Sequence, residues 1–94
     1  MSLRYYIDGE TGLPRIYNHR VEEHEVEDVL LRPGEDRPGE GGARVALGQT
    51  RAGRHLRVIY VPDPEPDSVF VITAYELRGK SLKAYRRRRR RKIP

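Results

Sequence analysis

The residues best suited to chemistry crowd the end of the sequence, in AYRRRRRRKIP: Tyr85, then Arg86, Arg87, Arg88, Arg89, Arg90, Arg91 and Lys92. Guanidinium groups grip phosphate oxygens two at a time, and a run of them releases the counterions condensed on a nucleic-acid backbone. Nucleic acid is therefore the natural partner of this run. Its plainer reading is a solvated basic end that attracts any polyanion, an acidic protein included. Tyr85 could stack on a base, although an aromatic ring at such a helical position more often packs into the core.

A second group is Arg54, His55 and Arg57 in the stretch RHLRVIYV. An imidazole titrates near neutral pH, so His55 between two guanidiniums could move a proton on RNA. Strand alternation also puts His55 on the face of Arg57 rather than that of Leu56, which favours a simple exposed histidine. His19 and His24 lack the i, i+4 spacing of a helical metal pair, and the carboxylates of EEHEVED read as a solvated helix face. No nucleophile elbow, phosphate loop or dinucleotide fingerprint stands in the sequence, and the residues call for no metal and no cofactor.

These groups must be carried by a small fold. The chain has 94 residues, of which 36% are hydrophobic and 35% charged, with no Trp and one Phe, so a single thin core has to suffice. There is no Cys, hence no disulfide or thiolate site, and the amino-terminal MSLRYYIDGE lacks the apolar stretch of a signal peptide. A cytoplasmic protein that does not enter a membrane is expected. The net charge of +5 hides a division: residues 1–77 hold nine Arg against all fourteen acidic residues, whereas residues 78–94 hold seven Arg and three Lys with no acid. The body is acidic and the end is basic.

The pattern predicts an opening strand in LRYYI, closed by the turn cluster DGETG. A helix is expected in VEEHEVEDVLL, with Val26, Val29 and Leu30 on one side, acids in the first turn, Glu22 as a cap and Val21 stapled onto Val26. Pro33 and Gly34 end it. RPGEDRPGEGG reads as a flexible linker, and ARVALGQ, RHLRVIYV and SVFVITAY as three strands of an antiparallel meander. A final helix should hold Leu82 and Tyr85 against the sheet. The sum is an α+β domain with a three- to four-stranded antiparallel sheet and two helices on one face or at the edge, residues 1–85, followed by a basic tail, residues 86–94.

In this order the residues resemble the BrnT branch of the RelE-like toxin superfamily, together with a related, largely uncharacterised domain family. Asp8 and His19-Arg20-Val21 stand where the family has an acid and a His-Gly-Val triplet, with Arg20 replacing the glycine. Arg44, Leu47, Gly48, Gly53, Arg54, Leu56 and Val58 match its central strand, turn and strand, and Ile72-Thr73-Ala74-Tyr75 and Tyr85 its last strand and basic helix. Thr11 and Tyr75 replace a family Lys and Arg. The resemblance implies a RelE/BrnT-like fold, RNA, free or on the ribosome, as substrate, and a cognate antitoxin protein as partner. It also implies metal-independent RNA cleavage, with Tyr75 or His55 transferring protons and Arg54, Arg57 and Arg78 stabilising charge, the basic tail serving as the dock. The alternative it leaves is an inactive module of the same fold that binds RNA or an acidic protein through that tail.

Overall fold

Five strands, two α-helices and one short 3₁₀ helix are strung along residues 1–91, the part of the chain that the computed structural model describes. In chain order they are β1 (Ser2–Tyr5), the 3₁₀ helix (Arg15–His19), α1 (Glu23–Leu31), β2 (Glu35–Pro38), β3 (Arg44–Gln49), β4 (His55–Pro62), β5 (Ser68–Glu76) and α2 (Gly79–Arg91). The strands form one sheet in the order β1-β5-β4-β3-β2.

The expected meander is its centre. β3, β4 and β5 run antiparallel with Ala46 opposite Val58 and Val58 opposite Ala74, so the small and branched residues of three strands meet on one face. The sheet is nevertheless larger than a three- to four-stranded antiparallel one, and it is mixed. β1 pairs parallel to β5, Ser2 opposite Ser68 through Tyr5 opposite Val71. Residues 35–38, expected as linker, form an antiparallel edge strand on β3. Backbone pairing and ion pairs specify this strand in place of apolar alternation: Arg44 donates to Asp36 at 2.9 Å, and Asp36 also accepts from the Tyr60 hydroxyl. That contact and burial push the Tyr60 phenol up to about 12, burial being the larger cause.

The two α-helices lie on opposite faces of the sheet rather than on one. α1 covers the face where Val26 and Val29, fully buried, join Ile16, Val21, Leu56, Val58 and Val71. Glu22 and Glu25 close a reciprocal capping box at its start, and Val21 is buried beside Val26 as a staple requires. α2 covers the other face, where Leu82 and Tyr85 pack on Val45, Leu47, Ile59 and Leu77. A basic helix stays docked there because its one apolar edge is buried and its last turns are tied down. Arg88 makes a two-pronged contact with Glu35 at 2.6 and 3.0 Å, and Arg89 donates to the Gly34 carbonyl at 3.0 Å.

Arg20 stands with φ 58°, a left-handed conformation that glycine adopts at least cost. The side chain at a position where a glycine would be easiest is accommodated because it points to solvent and its carbonyl accepts a hydrogen bond from Arg54 at 2.8 Å. Among the described residues, no helix is long and apolar enough to cross a membrane.

Candidate functional site

The sheet face under α2 carries two adjoining features. The first is a cleft of about 370 Å³ at the end of the face, where the last residues of β3, the first of β4 and the helix converge. Gln49 opposes His55 across the β3–β4 ladder, and the T-shaped pair of His55 and Tyr85 rings, 5.9 Å apart, sets the imidazole against the helix. Arg86, Arg89 and Arg90 come down from α2, and Arg32 comes across from the end of α1. Among the described residues, no acidic side chain lines this cleft.

That arrangement has a direct electrostatic consequence. Burial, and then the positive charge of Arg86, hold the His55 imidazole below its ordinary value. In the folded chain His55 is therefore neutral at pH 7 and able to accept a proton. The unfolded chain binds a proton at His55 more readily than the folded one, so the stability His55 contributes is present above about pH 6.5 and declines as pH falls through the lower folded value. A phosphate bound among the guanidiniums would cancel their repulsion. We expect the His55 Cε1–H resonance to titrate below that of a free imidazole in the protein alone and to move upward when inorganic phosphate is added; an unchanged midpoint would mean that anions do not enter the cleft.

Tyr85 is buried, and its hydroxyl is seated so closely on Gly34 that a Cβ there would lie 1.9 Å away. Its ring is thus a core residue that also walls the cleft. Burial is the main cause that raises the phenol above its ordinary value, so it stays protonated near neutral pH.

The second feature is the next row of the same face. Arg57 of β4 lies between Leu47 of β3 and Tyr75 of β5, and the Tyr75 ring meets His19 from the 3₁₀ helix at 5.7 Å. The Arg57 Nε is buried and has no hydrogen-bond partner, and neither has the Oγ1 of Thr73 on the adjacent strand. Among the described residues, no carboxylate pairs with Arg57.

The remaining residues singled out from the sequence lie elsewhere. Arg54 belongs to the opposite face, where it bridges Glu25 at 2.9 Å and Glu76 at 3.4 Å, a structural ion-pair network linking α1, the turn before β4 and β5. Arg78 is exposed and reaches the same Glu76 at 3.3 Å, and those guanidiniums hold the Glu76 carboxyl below its usual range, the hydrogen bond from Arg78 first among the causes. Arg88 is committed to Glu35, Arg87 and Arg91 point to solvent along α2, and Lys92 lies outside the described residues. Asp8 organises the turn after β1, accepting from the Glu10 amide and the Asn18 side chain, both at 2.8 Å. These bonds hold its carboxyl below the usual range.

The fold therefore joins His55, Tyr85, Arg86, Arg89 and Arg90 in one place, and Arg57 and Tyr75 in the row beside it. Arg32 and Gln49 had no signal in the sequence, since only the packing of α1 and β3 against α2 brings them in. Among the described residues, no three His, Asp or Glu side chains cluster as a metal site would need.

A family model described as a domain of unknown function (DUF4258) matches residues 13–76, from the 3₁₀ helix to the end of β5. No curated protein and no solved structure matches.

Proposed function

The chain belongs to the family described as a domain of unknown function (DUF4258), and from its own geometry we propose that it binds single-stranded RNA across the sheet face under α2. One observation carries the reading: Arg32, Arg86, Arg89 and Arg90 converge on a cleft that, among the described residues, no acidic residue lines, while Glu25 and Glu35 neutralise Arg54 and Arg88 instead. Cations left without an acidic partner at a concave surface are a match for a row of phosphates. The row beyond the cleft offers rings, Tyr75 and His19, on which the bases of a single strand can stack. RNA in the cytoplasm is the partner this predicts, in keeping with the RelE/BrnT-like resemblance.

A second reading, metal-independent endoribonuclease and hence the toxin half of a toxin–antitoxin pair, is favoured by one further feature, the neutral His55 among those cations. There it would take the proton of a ribose 2′-hydroxyl. The 2′-oxygen would attack the adjacent phosphorus, guanidiniums would carry the charge that builds on the phosphoryl oxygens, and the 5′-oxygen would leave with a proton from an acid such as Tyr75. An antitoxin would then be an acidic protein laid over the same face.

Both readings are tested by fluorescence anisotropy and gel analysis of a labelled single-stranded RNA with the intact protein in EDTA, beside His55→Gln and Tyr75→Phe. Saturable binding without cleavage supports the RNA-binding module. Cleavage lost in His55→Gln with binding retained supports the ribonuclease. If neither occurs while an acidic peptide binds, the face is a protein interface.

A further inference from the structure

We infer that the groove at the other end of the same sheet face from the arginine cleft is a subsite for one unstacked guanine, read by Arg57 from one side and Glu40 from the other. This rests on the RNA-binding reading and names the base that such an RNA would present.

The groove holds about 410 Å³ on the α2 face, between the β2–β3 turn and β5. Its floor is Val45, Ile59 and Ile72, an apolar surface suited to the flat face of a base. Ile72 is available to it because the β4–β5 register slips there, Ile59 pairing with Thr73 and Tyr60 with Val71. Its rim is a tight turn in which the Ala43 amide donates to the Glu40 carbonyl at 3.0 Å and the Gly39 amide to the Ala43 carbonyl at 2.8 Å. That turn is possible because Gly41 and Gly42 have φ of 59° and 81°.

Two opposite charges line this one groove, and they do not pair with each other. Arg57 is set in the middle of the sheet face with its Nε buried and unpartnered. Glu40 is exposed at the rim and is bonded through its backbone, and among the described residues no cation pairs with its carboxylate. Half-burying a guanidinium without a partner costs free energy that a ligand can return. A ligand spanning the gap needs acceptors toward Arg57, donors toward Glu40 and a flat apolar body between them.

Guanine alone among the four bases meets that need twice over. Its O6 and N7 accept the two-pronged guanidinium, and its N1–H and N2–H₂ donate to the two oxygens of a carboxylate. Adenine offers no acceptor pair for arginine, uracil has one donor, and cytosine gives the carboxylate its single amino group.

The test is a set of oligouridines of about eight nucleotides, a length set by single-strand site sizes, each with one central guanosine, inosine, adenosine or cytidine, titrated by anisotropy. Guanosine should bind roughly tenfold more tightly than the other standard bases, as bidentate base contacts do, and inosine, lacking N2–H₂, should lose part of the gain. Glu40→Gln, on the exposed turn, should reduce the guanosine preference to within about twofold while all-uridine affinity and its salt dependence stay unchanged, and Arg57→Met should reduce the preference likewise. Glu40→Gln keeps the test decisive should Arg57→Met fail to fold. Equal affinity for all bases, preference for a different base, or a guanosine preference that survives Glu40→Gln would overturn the subsite and leave RNA binding standing. No binding of any oligonucleotide would overturn the RNA reading and the subsite with it.

Discussion

Replacing Gly34 with alanine is expected to lower the stability of the protein by about 2 kcal/mol, an overpacking cost concentrated on the seat of α2. The new Cβ would lie 1.9 Å from the Tyr85 hydroxyl and 2.9 Å from Cζ of the same ring. Real Cβ atoms do not approach so closely, and the ring has little room to yield because it is buried between Leu47, Val45 and Leu77. The helix must therefore shift or lift, taking with it Arg88 from Glu35 and Arg89 from the Gly34 carbonyl. Urea unfolding followed by tyrosine fluorescence measures the loss. Tyr85→Phe added to Gly34→Ala should return part of it, because removing the hydroxyl removes the worst contact and leaves the one at Cζ. Equal stability of wild type and Gly34→Ala would show that α2 does not bear on Gly34 in solution.

The second large effect belongs to RNA. Substituting Arg86, Arg89 and Arg90 together by alanine should reduce single-stranded RNA affinity about a hundredfold near 0.1 M salt, because each neutralised phosphate there is worth roughly a factor of five. If the intact protein engages about six phosphates, its slope of log affinity against log salt should be roughly −4, and the triple variant should flatten it to about −2. Arg4→Ala is the control. Arg4 is held by Asp63 and lies over the Phe70 ring beside β1, away from the cleft, so its loss should leave the slope unchanged. A slope that does not respond to the triple substitution would place binding elsewhere on the chain.

How much of this was legible beforehand depended on whether a residue's role is set by its neighbours in sequence or by partners far along the chain. The alternation of Leu56, Val58 and Tyr60 and the spacing of Val26 and Val29 are local signals, and they gave the meander and α1 correctly. β2 has no such signal. Its residues Glu35, Asp36, Arg37 and Pro38 look like a loop, and they form a strand because β3 supplies backbone partners and Arg88, Arg44 and Tyr60 supply side-chain ones. The parallel pairing of β1 was equally hidden, since orientation is not written in a short apolar run. Helix α2 runs on through its arginines as far as Arg91, where like-charge repulsion alone would suggest fraying, because Glu35 and the Gly34 carbonyl answer two of them.

The candidate site divides in the same way. That cations would gather at the carboxy-terminal end was plain from composition. Which of them stay free was not, because Arg54 finds Glu25 and Glu76 only once α1 and β5 flank β4. His55 falls on the face expected from alternation, and its lowered value follows first from burial and then from Arg86, thirty-one residues on in the sequence and adjacent in space.

The parallel strand β1 also sets the order in which the molecule can assemble. β3, β4 and β5 join neighbours along the chain, so their ladders close short loops, whereas Ser2 must find Ser68 and Leu3 must find Val69 across nearly the whole sequence. Long loops are entropically costly to close, and a parallel edge strand has nothing to pair with until its neighbour is in place. The meander is then the expected folding nucleus, with β1 expected to dock on the downhill side of the barrier. Truncating Leu3 to alanine should speed unfolding and leave the folding rate nearly unchanged, while Val58→Ala should slow folding. The strand that comes first in the sequence is the last to find its place.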